Sequence, residues 1–192
     1  MTRAARSTVL TLTLSALFLV GAACGRRADD PVLAMLGRTL KRGERVLLVR
    51  RFDAEATRVA LVVGTPEGKP ELRIYERQGS GDFGLKHTAQ QGDSFRNLSL
   101  EDVDGDGQDE ILTTWEGGHL ELVSVFSRGP DATYRTIFQN AGRQVEKRYD
   151  PAGLIEFWIT SRTYGEGPGE SPAYATTVYR FEGGKFVEAN LK

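Results

Sequence analysis

The chain of 192 residues has one cysteine, two histidines and two methionines, and no excess of charge of either sign. A single cysteine excludes an intramolecular disulfide framework and any cysteine-based zinc site. With 25 Lys+Arg against 26 Asp+Glu, the basic excess of a nucleic-acid binder is missing. His87 and His119 are the only histidines and no serine lies in a nucleophile elbow. No converging acid–base or nucleophile set is visible, so the sequence does not read as an enzyme. What is present is 40% hydrophobic and 27% charged residues, enough to build a core. Glycine is abundant, 22 residues, which suits turn-rich β structure. The length fits one domain or slightly more.

The N-terminus carries an address. Arg3 and Arg6 precede an apolar run from Val9 to Val20, broken only by Thr and Ser. At 12 residues the run is too short to cross a bilayer core of ~30 Å as a helix. A basic start, a short apolar run and then small residues form the secretory signal pattern. Val20-Gly21-Ala22-Ala23-Cys24 follows, and it resembles the lipobox of bacterial lipoproteins, with Gly21 where leucine is usual. That resemblance implies cleavage after residue 23 and lipidation of Cys24; the plainer alternative is an ordinary signal peptide with Cys24 incidental. Acyl chains would anchor the chain in one leaflet without spanning it. Gly25 in place of Asp implies, in a Gram-negative envelope, passage to the outer membrane. Residues 24–43 read as a tether or short helix, with Asp30-Pro31 as its start and Val32, Met35, Leu36 and Leu40 on one face.

From about Glu44 to the end at residue 192, one pattern occurs three times. Each copy is a strand, a loop opening with aspartate, a second strand, a connection and a hairpin. The opening aspartates are Asp53, Asp102 and Asp150, spaced 49 and 48 residues apart. Gly79-Ser80-Gly81, Gly129-Pro130-Asp131 and Gly183-Gly184 stand where the last hairpin of each copy should turn. Four strands in about 48 residues is the size of a propeller blade, and three copies fall short of the four usual in a closed ring. The expected fold is all-β: three four-stranded, blade-like repeats forming a partial or open β-propeller.

One loop carries chemistry. Residues 102–110 read DVDGDGQDE. Asp102, Asp104 and Asp106 alternate, and Gly105 and Gly107 allow the backbone to curl so that the carboxylates converge. So many hard oxygens suit Ca²⁺, which takes 6–8 oxygen ligands. The Gln108 carbonyl at the seventh position and Glu110 at the ninth can complete the shell, while Asp109 points outward. The loop is no EF-hand, since Thr113 stands where a bidentate glutamate is needed and β-rich sequence flanks it. With Ile111 and Leu112 after it, the loop resembles the FG-GAP/VCBS-type repeats of integrin-like β-propellers. That resemblance implies one structural Ca²⁺ between two strands of a blade. The first copy keeps only Asp53 and Glu55, and the third only Asp150, so neither should hold an ion. The plainer reading is a polar turn without metal, but carboxylates so crowded repel one another unless a cation sits among them.

Other signals carry less. Gly79-Ser80-Gly81-Asp82-Phe83-Gly84 fits a dinucleotide fingerprint by letter, yet a hairpin strand rather than a helix should follow. Trp115 and Trp158 lie in second strands and read as core, with Phe157 beside the latter. The Gly/Pro-rich loop from Tyr164 to Tyr174 is either a floppy insertion or a contact for a glycan or peptide. The expectation is a non-enzymatic, lipid-anchored envelope protein, a calcium-stabilised binding or scaffolding module with no nucleic-acid partner. A cell-envelope hydrolase, or an accessory subunit of one, is the competing class.

Overall fold

The computed structural model describes residues 30–163 and 173–189. The expected leader (1–23), Cys24 and residues 164–172 of the long loop lie outside the described residues. Asp30 opens helix α1 (Pro31–Thr39) by accepting the Val32 N–H at 2.9 Å, and Pro31 occupies a first-turn position where no N–H is needed. No helix among the described residues is long and apolar enough to cross a membrane.

Among the described residues, twelve strands form three antiparallel four-stranded sheets, each in simple sequential order. The first holds β1 (Arg45–Arg51), β2 (Arg58–Gly64), β3 (Pro70–Arg77) and β4 (Phe83–Ala89). The second holds β5 (Ser94–Glu101), β6 (Glu110–Gly117), β7 (Leu120–Arg128) and β8 (Tyr134–Gly142). The third holds β9 (Gln144–Tyr149), β10 (Ile155–Thr163), β11 (Ala173–Glu182) and β12 (Lys185–Ala189). The three expected glycine turns join β3 to β4, β7 to β8 and β11 to β12. Asp53, Asp102 and Asp150 each open the first loop of their sheet and accept backbone N–H groups there, from Thr57, from Gly105 and Gly107, and from Ala152 and Leu154. The three aspartates are therefore local turn formers in one topological position.

Strand alternation decides how the sheets stack. On the first sheet, Ala60, Val62, Leu72 and Ile74 face Leu98, Ile111, Trp115 and Phe126 of the second. The opposite face of the second sheet, with Leu112, Val123, Val125 and Phe138, meets Ile155, Phe157 and Ile159 of the third. The outer face of the first sheet, with Val59, Leu61, Val63 and Tyr75, is covered by Val32 and Met35 of α1, with Leu36 and Leu40 at the margin. The helix thus docks by the apolar face expected of it. Covered on both sides, β2 is apolar nearly throughout, and β6 is buried along most of its length with Thr113 and Glu110 among its buried residues.

Two glycines set the spacing between sheets. A Cβ on Gly92 would lie 2.4 Å from the Glu116 carbonyl oxygen, and one on Gly142 would lie 2.7 Å from that of Thr160. Beside them the Asp93 N–H donates to Glu116 at 2.6 Å and the Arg143 N–H to Thr160 at 2.8 Å. Each crossover is pressed in the same way against the second strand of the sheet it enters.

A buried charge cluster lies on the outer face of the first sheet. Arg73 grips Glu44 with two nitrogens, at 2.5 and 2.9 Å, and reaches Glu71 with Nε at 2.5 Å. The Arg73 hydrogen bond holds the Glu44 carboxyl down at about 2, against burial that pushes it up. A depressed carboxyl contributes stability above its unfolded value, and that contribution fades as pH falls toward the folded one. Glu44→Gln should therefore cost a constant amount above about pH 5, and the gap to the parent should close between about 4.5 and 2. Urea titrations across that range check it; a gap that ignores pH would show that the pair contributes nothing.

Candidate metal centre

The acidic loop spans the end of β5 and the start of β6. Its shape comes from its own side chains. Asp102 accepts the Gly105 N–H at 2.7 Å on Oδ1 and the Gly107 N–H at 2.9 Å on Oδ2. Asp104 Oδ1 accepts from Asp106 N at 3.1 Å, and Asp106 Oδ1 from Gln108 N at 2.7 Å. These bonds require positive φ at Gly105 (78°) and Gly107 (84°), which glycine adopts without strain. Val103, fully buried among Leu112, Ile155 and Phe157, pins the loop to the core between the second and third sheets. Sequence reasoning passed over Val103, although an apolar residue between two aspartates is itself a sign of anchoring.

The curl brings Asp102, Asp104 and Asp106 together, with one carboxylate oxygen from each within 4.8 Å of the others. No other such group occurs among the described residues. Glu110 stands outside this triad. It is buried at the first position of β6, and its Oε2 accepts the Val103 N–H at 3.1 Å. Gln108 is exposed, and its side-chain amide reaches Asp106 at 3.3 Å. Asp109 is exposed as expected, and Thr113 is buried, taking a hydrogen bond from Trp115 Nε1. Asp53 is engaged by Thr57 through both oxygens, and Asp150 by its own turn.

Electrostatics of the loop are unfavourable to its own charges. Burial raises the Asp104 carboxyl, and the charges of Asp106 and Asp102 raise it further. Burial also pushes Glu110 up to about 7, with Asp104 and Asp106 adding to the effect against the Val103 hydrogen bond. The nearby Glu101 behaves in the opposite way. Its burial is outweighed by hydrogen bonds from Lys147, Ser99 and Tyr149, which hold it below the ordinary range. The residues present fit a hard divalent cation: three converging hard oxygens, a fourth acid behind them, and mutual repulsion that positive charge would relieve. Each carboxylate oxygen has a second lone pair, so the N–H bonds that shape the loop leave capacity for a ligand bond.

The discounted signals resolve as local structure. Phe83 and Gly84 open β4, so no helix follows the glycine-rich turn and a dinucleotide fingerprint has no footing. His87 packs against Phe126 with ring centroids 5.1 Å apart, and its buried Nε2 lacks a hydrogen-bond partner. Trp115 is core as expected, but Trp158 is half-buried on the outer face of the third sheet, under Arg148 at 3.9 Å. Comparison with known protein families, with curated proteins and with solved structures gives no match.

Proposed function

We propose that this chain is a lipid-anchored envelope protein whose β domain is a non-enzymatic binding or scaffolding module braced by one Ca²⁺. In this reading the three stacked sheets are consecutive blades of an open, propeller-like arc, related to FG-GAP/VCBS-type repeats. The single observation that carries it is the Asp102–Asp104–Asp106 triad, in the same first loop that holds Asp53 and Asp150 in the other sheets. Asp102, Asp104 and Asp106 would hold the ion, with Gln108 and Glu110 as the further oxygen donors that the repeat resemblance implies. Its position suits a structural role, since Val103 ties the loop into the core joining the second and third sheets. The environment of His87, apolar and partnerless, favours a packing role for it over an acid–base one.

Calorimetric titration with Ca²⁺ tests the reading. One site is expected in the parent, and Asp104→Asn should weaken it by at least about tenfold, roughly 1.4 kcal/mol. Asp150→Asn should leave it intact, because Asp150 only shapes its turn. Absence of a Ca²⁺ signal in the parent would defeat the proposal. The anchor is tested apart from the ion: Cys24→Ser should move the protein from the membrane to the soluble fraction or stall its maturation. Normal maturation and unchanged fractionation of that variant would exclude the lipid.

A further inference from the structure

Charge is divided unevenly along the chain. Residues 30–51, which form α1, the turn after it and β1, hold 6 Lys+Arg against 2 Asp+Glu, whereas residues 52–192 hold 15 against 23. Both acids of the basic segment are already engaged, Asp30 by Arg51 and Glu44 by Arg73, each at 2.5 Å. Arg38 reaches Asp82 at 2.6 Å. Arg42, Arg45 and Arg50 are exposed and form no ion pair among the described residues. Lys41, also exposed, lies in the field of Glu44.

Apolar groups are exposed in the same segment. Leu33, Val46 and Leu47 are three of the seven large hydrophobics that stay exposed among the described residues, at 57, 39 and 43%. The side of α1 turned away from the sheet is Leu33, Ala34, Gly37 and Arg38, without an acid. Beside the helix lies β1, the edge strand of its sheet. By register, Val46, Val49 and Arg51 are on the α1 side of that sheet, and Arg45 and Arg50 on the other. At a free edge both sides are open to the same surroundings, and Leu33 and Arg50 line one open groove of about 460 Å³ between α1 and β1. Helix and edge strand thus form a basic and apolar corner rather than an enclosing pocket.

We propose that this corner lies against an anionic phospholipid surface, with Leu33, Val46 and Leu47 entering the headgroup layer and Lys41, Arg42, Arg45 and Arg50 meeting its phosphates. Surfaces of this composition bind membrane interfaces by burying apolar area and by attraction to anionic lipid. Chain length points the same way. Cys24, the lipid attachment point in the reading above, is 6 residues from Asp30, a span of at most about 20 Å. The part of the domain held nearest the bilayer is then the start of α1, with β1 alongside through Arg51. The net negative charge of residues 52–192 is repelled by the same surface, which orients the domain. The inference rests on the lipid-anchored reading and adds to it how the domain sits on its membrane.

Flotation of the mature chain carrying Cys24→Ser, without lipid, tests the face apart from the anchor. Vesicles of phosphatidylcholine and phosphatidylglycerol in equal parts should bind it saturably. Pure phosphatidylcholine should bind at least about tenfold more weakly, and about 1 M salt should remove the binding. Arg42→Gln combined with Arg45→Gln should keep the parent melting temperature and lose at least about tenfold in affinity for the mixed vesicles. Leu33→Gln should do the same. Arg135→Gln combined with Lys185→Gln makes an equal charge change at exposed positions of the second and third sheets and should bind as the parent does. No preference for the anionic vesicles, full binding by the Arg42/Arg45 variant, or equal loss in the Arg135/Lys185 variant would each overturn the assignment. So would a dimer formed through β1 in place of vesicle binding. Acyl chains resist a wash in about 1 M salt and this face does not. A lipidated parent that survives the wash, while the unlipidated chain ignores vesicles, would therefore sink the face alone. Vesicle binding, with Cys24→Ser fractionating like the parent after the wash, would sink the anchor alone.

Discussion

Chelation of divalent cations should lower the melting temperature of this protein by about 5–10 °C. The figure follows from linkage: a ligand that binds only the folded state, present at a hundred times its Kd, contributes about 2.7 kcal/mol. For chains of this length each kcal/mol shifts the midpoint by about 2–4 °C. Asp104→Asn sharpens the prediction by giving it a sign. The amide keeps an acceptor for the Asp106 N–H but removes a charge that the neighbouring acids already oppose. With Ca²⁺ the variant should melt below the parent. In chelator it should melt at or above the parent, because part of the repulsion is gone. Differential scanning calorimetry of both proteins in both buffers gives the four midpoints. No chelator effect on the parent would remove the ion from the account of stability.

Trp115→Ala should cost about 3–5 kcal/mol, the range for emptying a buried large aromatic position. Trp115 is fully buried between the first and second sheets, edge-on to Phe95 with ring centroids 5.3 Å apart. Its Nε1 also donates to Thr113 Oγ1 at 2.9 Å. A loss of that size is a large part of the 5–15 kcal/mol that holds a typical domain folded. Trp158→Ala should cost only about 1–2 kcal/mol, for the contact with Arg148 and the Nε1 hydrogen bond to Glu156 at 3.0 Å, because the ring lies half-exposed on the outer face of the third sheet. Urea denaturation of the two variants tests the order of the layers directly. Equal costs would mean that the outer face of the third sheet is as deeply covered as the second sheet, contrary to the stacking described.

That contrast marks where sequence reasoning ends. Both tryptophans lie in the second strand of their sheets, in alternating or apolar runs, and nothing local separates them. What separates them is the number of neighbours their sheets have. Among the described residues, the second sheet is covered on both faces and the third on only one. The same limit hid the Glu76–Arg128–Tyr134 contact, whose partners lie 52 and 58 residues apart in the chain. It also hid the use of Gly92 and Gly142, which in the sequence are two glycines among 22.

Local chemistry, by contrast, was legible. The residues of the chain by themselves determined the start of α1 at Asp30-Pro31, its docking face, the three glycine hairpins, and an aspartate turn opening each sheet. They also determined the curl of residues 102–108. Each of these features is settled within about one turn's length of chain, by a side chain bonding a nearby N–H or by a glycine at positive φ. Only the tertiary structure decided which sheet faces meet, that Glu110 sits behind the aspartate triad with its carboxylate on Val103, and that Glu76 of the first sheet takes Arg128 and Tyr134 of the second. Those outcomes depend on burial and on charges brought together from distant segments, quantities that exist only once the sheets have stacked.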